Sequence, residues 1–407
     1  MKHYIESSGA VVLISTPDYI QKNGWVGKLL TTKTVHGKIA DSILEDADDD
    51  SYTSEGLSLD DTLMAPFSSG TSGLPKCCLL THRNFNASTA ALKKGVFDQV
   101  LENSSKKTIA FLPFYHASGF WALIFCLMEG CTSYIMNKFH PLNMLDLIEE
   151  HKIDTINIVP AIARTLIQIG MKDRAPGLRT ILCGSSALDE QTARQLLKLF
   201  PRVERLLQGY GMTELVVLSH ITPYKDNFVH LGSCGKLLPG FEAQLINTDG
   251  EVITENNEKG ELLLRSDAIM KSYKNETFAV DQEDWLHTGD IALKNEDGYY
   301  FIVDREKDLI KVNGFQVSPT EIEEVIQRNE KVKQAAVIGV HDEQTGEKPV
   351  AFLVLADDAD PETTVAEVLT LVRDTLSPVK HLHGGIRIVE ELPTSPSGKI
   401  QRYKLRN

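Results

Sequence analysis

Between residues 62 and 200, short apolar runs alternate with helix-period segments. The apolar runs are Thr62 to Phe67, Thr108 to Leu112, Thr132 to Met136, Thr155 to Val159 and Thr180 to Cys183. Helical spacing begins at Asn84, surrounds Phe120 to Met128, and covers Leu142 to Glu150, Ala161 to Ile169 and Glu190 to Phe200. Runs that are apolar on both faces need cover on both faces, so the alternation predicts parallel strands joined by helical crossovers. Ligands in such sheets bind beyond the carboxyl ends of the strands.

After Gln208 the pattern changes to hairpins. Asp249-Gly250 separates Ala243–Ile246 from Val252-Ile253, Gly260 to Arg265 reads as another strand, and Asp297-Gly298 turns between Ile291–Lys294 and Tyr299–Val303. The charged run Asp304-Arg305-Glu306-Lys307-Asp308 then breaks the apolar pattern. Beyond it come a hairpin at Asn313-Gly314, a helix opened by Ser318-Pro319-Thr320-Glu321 with a capping box, strands Gln334–Gly339 and Val350–Leu355, a helix from Pro361 to Leu376, and a strand Ile386–Val389. The expected class is α/β. A large N-terminal domain (1–303) has parallel sheet layers covered by helices and a smaller antiparallel β-subdomain (about 209–303); a hinge (304–308) leads to a small α+β C-terminal domain (309–407). Upstream, the strand Val11 to Thr16 has no preceding element to pair with, and the acidic run Glu45 to Asp50 reads as a solvated loop.

Composition narrows the chemistry. The chain has 407 residues, enough for two or three domains, with 42% hydrophobic and 24% charged residues, the proportions of a globular protein. A formal charge of −14 leaves no basic excess for nucleic acid or an anionic membrane, so an anionic ligand needs a local positive site. The six cysteines form no C-x-x-C pair, which points to reduced thiols rather than zinc or disulfides, and no signal peptide or membrane-spanning run is evident.

One such local site lies in Phe67-Ser68-Ser69-Gly70-Thr71-Ser72-Gly73-Leu74-Pro75-Lys76. Gly70 and Gly73 allow close approach of the backbone to an anion, Ser68, Ser69, Thr71 and Ser72 offer hydroxyl donors, and Lys76 adds positive charge. The spacing is not that of a Walker A loop, and by itself the run equally suits a Ser/Gly surface connection. His116, within Leu112-Pro113-Phe114-Tyr115-His116, is by itself more simply a core histidine. Cys183-Gly184-Ser185-Ser186 suits a strand-to-helix turn, and Asp290 after Thr288-Gly289 a turn aspartate. Gln208-Gly209-Tyr210-Gly211-Met212-Thr213-Glu214 lacks the third glycine of a dinucleotide fingerprint, and its acidic end suits phosphate only if a cation intervenes. Lys399, in Pro393-Thr394-Ser395-Pro396-Ser397-Gly398-Lys399, has the look of an ordinary exposed lysine.

Taken in order, these motifs resemble those of the adenylate-forming enzymes: acyl-CoA synthetases, 4-coumarate-CoA ligases and beetle luciferases. The resemblance implies that Ser68 to Lys76 grips the pyrophosphate end of ATP, that Gly184, Ser185 and Ser186 pack on adenine, and that Tyr210 stacks on it. It also implies that Gly209, Gly211, Met212 and Ile302 line the nucleotide site, that Thr213 contacts the α-phosphate, and that Glu214, with Thr71, binds magnesium, which prefers one carboxylate plus water and phosphate oxygens. Asp290 is implied for ribose, Arg305 for ribose or phosphate, His116 for the acyl pocket with Phe114, Tyr115, Phe120 and Trp121 as walls, and Lys307 as the hinge. Lys399 corresponds to the adenylation lysine, and Lys311, Gly314 and Gln316 to the face that replaces it when the small domain rotates. Ser185 and Ala187 depart from the family's Gly-Gly-Ala-Pro-Leu turn.

The implied reaction is ATP-dependent activation of a fatty or aromatic carboxylic acid to an acyl-adenylate, then transfer to coenzyme A with release of AMP. Alternatives that share the motifs are luciferase-type oxidation, adenylation for a separate carrier protein, and a weakly active or non-catalytic binding relative. The last is motivated by the expectation that the chain lacks the family's N-terminal portion. A cytoplasmic location is expected, since Leu405-Arg406-Asn407 is not the Ser-Lys-Leu peroxisomal signal.

Overall fold

The computed structural model describes residues 4, 7–8, 12–15, 28–31, 56–68, 75–226, 228–274, 279–394 and 400–406. Six residues of the phosphate-loop motif (Ser69, Gly70, Thr71, Ser72, Gly73 and Leu74), Lys399 and the acidic run 45–50 lie outside them. The expected first strand is present as β1 (Val12–Ser15), and it pairs in parallel with a strand not anticipated, β2 (Lys28–Thr31).

The run Thr62 to Phe67 does not join a parallel sheet as expected. It splits at Ala65-Pro66 into β3 (Thr62–Met64) and β4 (Phe67–Ser68). These pair antiparallel with β6 (Leu80–Thr81) and β5 (Lys76–Cys77), so the phosphate-loop motif is held at both ends by one ladder. Proline lacks the amide proton that an uninterrupted ladder requires. Helix α1 (His82–Leu92) starts two residues before Asn84, because Thr81 caps it. Thr81 Oγ1 accepts from the Asn84 amide at 3.2 Å and Asn84 Oδ1 accepts from the Thr81 amide at 2.9 Å.

The alternating region follows the predicted order. It comprises α2 (Asp98–Glu102), β7 (Lys107–Ala110), α3 (Ala117–Met128), β8 (Thr132–Ile135), α4 (Pro141–His151), β9 (Thr155–Ile158), α5 (Pro160–Ile169), β10 (Thr180–Cys183), α6 (Glu190–Leu199) and β11 (Arg205–Tyr210). Strands β9, β10 and β11 are parallel, and two antiparallel strands, β12 (His220–Ile221) and β13 (Lys236–Leu237), extend the sheet. Ile148, Ile156, Ile158, Leu166, Ile181 and Leu196 are essentially inaccessible between the sheet and α4, α5 and α6. Burying an aliphatic side chain of this size contributes roughly 1.5–3 kcal/mol.

The β-subdomain is a four-stranded antiparallel sheet of β14 (Glu242–Ile246), β15 (Gly260–Arg265), β16 (Leu286–Lys294) and β17 (Tyr300–Arg305). Two expectations change here. Asp290 does not stand at a strand entry but in the middle of β16, and β17 runs two residues into the charged segment, ending at Arg305.

The C-terminal unit opens with the hairpin β18 (Ile310–Val312) and β19 (Phe315–Val317), whose turn residues Asn313 and Gly314 have φ of 50° and 81°. Helix α7 (Pro319–Ile326) follows, then β20 (Val332–Asp342), β21 (Gly346–Leu355), α8 (Pro361–Thr375) and β22 (Ile386–Ile388). Only half of the expected capping box forms. Ser318 Oγ accepts from the Glu321 amide, but the Glu321 carboxylate accepts from Lys380 instead of reaching back.

Candidate active site

A cleft of about 2180 Å³ runs beyond the carboxyl ends of β10 and β11 and is bounded by the β-subdomain, the charged hinge and one face of the C-terminal unit. It gathers Ser68, Lys76, His116, Gly184, Ser185, Ser186, residues 209 to 214, Asp290, Ile302, Arg305 and Lys307. Lys311, Gly314 and Gln316 are not brought there; their hairpin points to solvent. Ile400, Gln401, Arg402 and Tyr403 do line the cleft. Of the aromatic walls, Tyr115 and Trp121 line it, whereas Phe114 and Phe120 do not. Trp121 is 5% exposed because it packs on Phe97 and Phe125 with ring centroids 5.3 and 4.7 Å away.

The polar centre is built from three strands, β11, β16 and β17. Tyr210 at the end of β11 donates through its hydroxyl to Asp290 Oδ2 at 2.7 Å, and Arg305 Nε sits 3.1 Å from Oδ1. Asp290 falls on the buried face of β16 by the simple alternation of the strand, in which Leu286, Thr288, Asp290 and Ala292 are all buried. Burial, then the Asp290 carboxylate, pushes the Tyr210 phenol well above its ordinary value, so it remains a donor. Behind it the His220 ring lies edge-on at 5.8 Å, and burial pushes His220 down to about 3, so this imidazole is neutral.

Residues 211 to 218 fold back on β11 tightly enough to demand glycine. A Cβ on Gly211 would fall 1.7 Å from the Val217 carbonyl oxygen. Thr213–Leu215 form a short 3-10 turn, after which Val216 takes φ 71° and ψ −60°, with the Val217 amide bonding to the Leu215 carbonyl at 2.9 Å. A β-branched residue is strained in such a γ-turn, and strain of this kind persists where the surroundings impose it. Ser185 likewise holds φ 73°, which explains why a glycine would suit its position in the family's turn.

Glu214 is 7% exposed, and its Oε1 accepts from the Tyr273 hydroxyl at 3.0 Å. Lys76 Nζ lies 4.9 Å from the centre of the same ring. A hard carboxylate oxygen in the same cleft as Thr213 and Lys76 suits a magnesium–polyphosphate ligand, with water and phosphate completing the cation's shell. No cluster of three His, Cys, Asp or Glu side chains able to hold a metal alone occurs among the described residues.

Sequence reasoning missed Tyr273, Asp304 and the Glu323–Arg402 pair. Asp304 accepts from Ser318 Oγ at 2.7 Å and from the Thr320 amide at 3.1 Å, tying the end of β17 to the first turn of α7. Arg402 Nη2 reaches both oxygens of buried Glu323 at 2.8 and 2.7 Å. None of these had a local signal: Asp304 lies 14 positions before Ser318, and the partners of Tyr273 and Arg402 are 59 and 79 positions away.

The family model for AMP-binding enzymes matches residues 1–274, and that for the AMP-binding enzyme C-terminal domain matches residues 321–399. The chain is 35% identical over 380 residues to 4-coumarate:CoA ligase 1 of Petunia hybrida, covering 91% of this chain and 69% of that protein. Among solved structures it is similar to ATP-bound MatB from Rhodopseudomonas palustris, with TM-score 0.84, 25% identity, and coverage of 99% of this chain and 80% of that one. It is also similar to o-succinylbenzoate coenzyme A synthetase (MenE) from Bacillus subtilis in complex with ATP and magnesium ion, with TM-score 0.81, 26% identity, and coverage of 100% and 81%.

Proposed function

Since the chain belongs to the AMP-binding enzyme family of acyl- and aryl-CoA ligases, we propose that it converts a fatty or aromatic carboxylic acid to its coenzyme A thioester through an acyl-adenylate. The observation that carries this reading is the convergence of Tyr210, Asp290 and Arg305 in the same cleft as Thr213, Glu214 and Lys76. The first group suits the nucleoside and the second its phosphates.

A carboxylate is a poor electrophile. In the proposed first step its oxygen attacks the α-phosphorus of ATP, the bond to the β-phosphate oxygen breaks, and pyrophosphate leaves. Asp290, already aligned by Tyr210 and Arg305, accepts from the ribose hydroxyls, and the Tyr210 ring and the 184–186 turn flank adenine. Lys76, with the loop it closes, draws charge from the β- and γ-phosphates; Thr213 and Lys399 stabilise charge at the α-phosphate, each such donor contributing roughly 3 kcal/mol. Glu214, with Thr71, would hold magnesium, which supplies charge neutralisation at the phosphates. His116, next to Trp121 on the cleft wall, borders the acyl group. The thiol sulfur of coenzyme A then attacks the acyl carbon and AMP leaves.

Two units are proposed, 1–303 with its β-subdomain 209–303 and 309–407, turning about Lys307 within 304–308 between half-reactions. The exposure of the Lys311–Gln316 hairpin and the cleft position of Ile400 to Tyr403 support assigning the present arrangement to the adenylation step. The test is pyrophosphate release across a panel of fatty and aromatic acids, with and without coenzyme A. Lys399→Ala is expected to abolish adenylate formation while sparing thioester formation from a supplied adenylate. Equal loss of both steps overturns the alternation, and tight ATP binding without turnover on any acid overturns the ligase reading.

A further inference from the structure

The segment after β15 is fastened on both sides of the candidate phosphate site. Buried Asn84 donates to the carbonyls of Asp267 and Ile269 at 2.8 and 2.9 Å, and the Met270 amide donates to the Glu214 carbonyl at 2.9 Å. A few residues on, Tyr273 bridges to Cys78, and the Lys274 amide donates to the Cys77 carbonyl at 2.9 Å. Tyr273 is thus tied to the strand that begins with Lys76, while its side chain reaches Glu214.

Its ring separates two opposite charges. The hydroxyl meets Glu214 Oε1 at 3.0 Å, and the ring face lies toward Lys76 Nζ, 4.9 Å from the centroid. A carboxylate with one oxygen held by a phenol has its plane set and its other oxygen left to a cation. The ring face accommodates the ammonium through its quadrupole without neutralising its charge.

We propose that Tyr273 is a positioning residue for the cation at Glu214, acting by orienting that carboxylate and by standing between it and Lys76. This rests on the reading of Glu214 as the magnesium ligand.

Tyr273→Phe keeps the ring and deletes only the donor. The probe is Mn²⁺, titrated into the purified full chain with ATP and followed by the electron paramagnetic resonance of the free ion. Loss of an outer-sphere partner lowers metal affinity by about 10–100-fold, and ATP affinity measured without a divalent cation is expected to stay within about twofold. Turnover at saturating Mg²⁺ should approach that of the unmodified chain, separating orientation of the carboxylate from general damage. Tyr273→Leu, which also removes the ring, should additionally weaken cation-free ATP binding. Unchanged Mn²⁺ affinity in Tyr273→Phe overturns the proposal, as does an equal loss of ATP affinity without the cation. Glu214→Gln tests the underlying assignment: if it binds Mn²⁺ normally, Glu214 is not the ligand; if it does not and Tyr273→Phe does, only the role of Tyr273 fails.

Discussion

Replacing Gly211 with alanine places a methyl carbon 1.7 Å from the Val217 carbonyl oxygen and 2.6 Å from Leu218 Cα. Real contacts of this kind start near 3.0 Å, so the two backbones must part by more than about 1 Å. The chain has no slack there. Val216 is already in a strained γ-turn, and the Ser219 amide is bonded to the Tyr210 carbonyl at 3.0 Å while the Leu238 amide holds the Ser219 carbonyl at 2.8 Å. Overpacking usually costs 1–3 kcal/mol, and a backbone-on-backbone clash sits at the top of that range, about 3 kcal/mol. A loss of that size lowers Tm by roughly 6–12 °C for a domain of ordinary length. The same opening moves Tyr210 and Thr213 apart, and a misplacement of about 1 Å at a reacting centre weakens function on the order of 100-fold. Thermal denaturation with and without ATP reads both effects. With ATP at 100 times the dissociation constant of the unmodified chain, ligand stabilisation is about 2.7 kcal/mol, and a 100-fold weaker site retains only about 0.4 kcal/mol. A Gly211→Ala protein with unchanged Tm refutes the packing argument. One that is destabilised yet keeps the full ATP shift refutes the coupling of this fold-back to the nucleotide site.

Two further predictions concern the C-terminal unit. Arg402→Met strands the Glu323 carboxylate, which is 7% exposed and otherwise bonded to the Val337 amide at 2.7 Å; breaking such a buried pair costs about 3–5 kcal/mol in chemical denaturation, and adding Glu323→Leu should recover much of it. Unchanged stability of the single variant would sink that account. Glu324 stands at the cleft edge of α7 with its outer side open to water; the protein around it, then the Asp189 carboxylate, pushes its carboxyl up to about 7 from an ordinary 4.5. The folded chain therefore binds this proton more tightly than the unfolded one, and the contribution favouring the folded form below about pH 4.5 is lost as pH rises through 7. Hydrogen exchange of α7 should accelerate from pH 5 to 8, beyond the intrinsic chemical rate, and Glu324→Gln should flatten the change; identical profiles in both proteins would rule the carboxyl out.

Much of the architecture was legible along the chain. The alternation from 108 to 200, the Asp297-Gly298 and Asn313-Gly314 turns and the Ser318 cap all appear where local pattern puts them, because hydrophobic period and turn chemistry act over a few residues. The resemblance of the ordered motifs also named most of the side chains that meet in the cleft. What it missed depends on pairing between strands: the short antiparallel ladder enclosing the phosphate-loop motif, and the upstream extension of β16 that puts Asp290 in mid-strand.

The sequence by itself determined the kinds of element, their order and the chemical groups on offer, since these follow from periodicity and composition over short windows. Only the tertiary structure decided which groups meet. Tyr210 finds Asp290 across 80 residues and Glu214 finds Tyr273 across 59, and Arg402 closes on Glu323 across 79. Such contacts are set by strand register, backbone strain and the packing of one layer on another, none of which a local window contains.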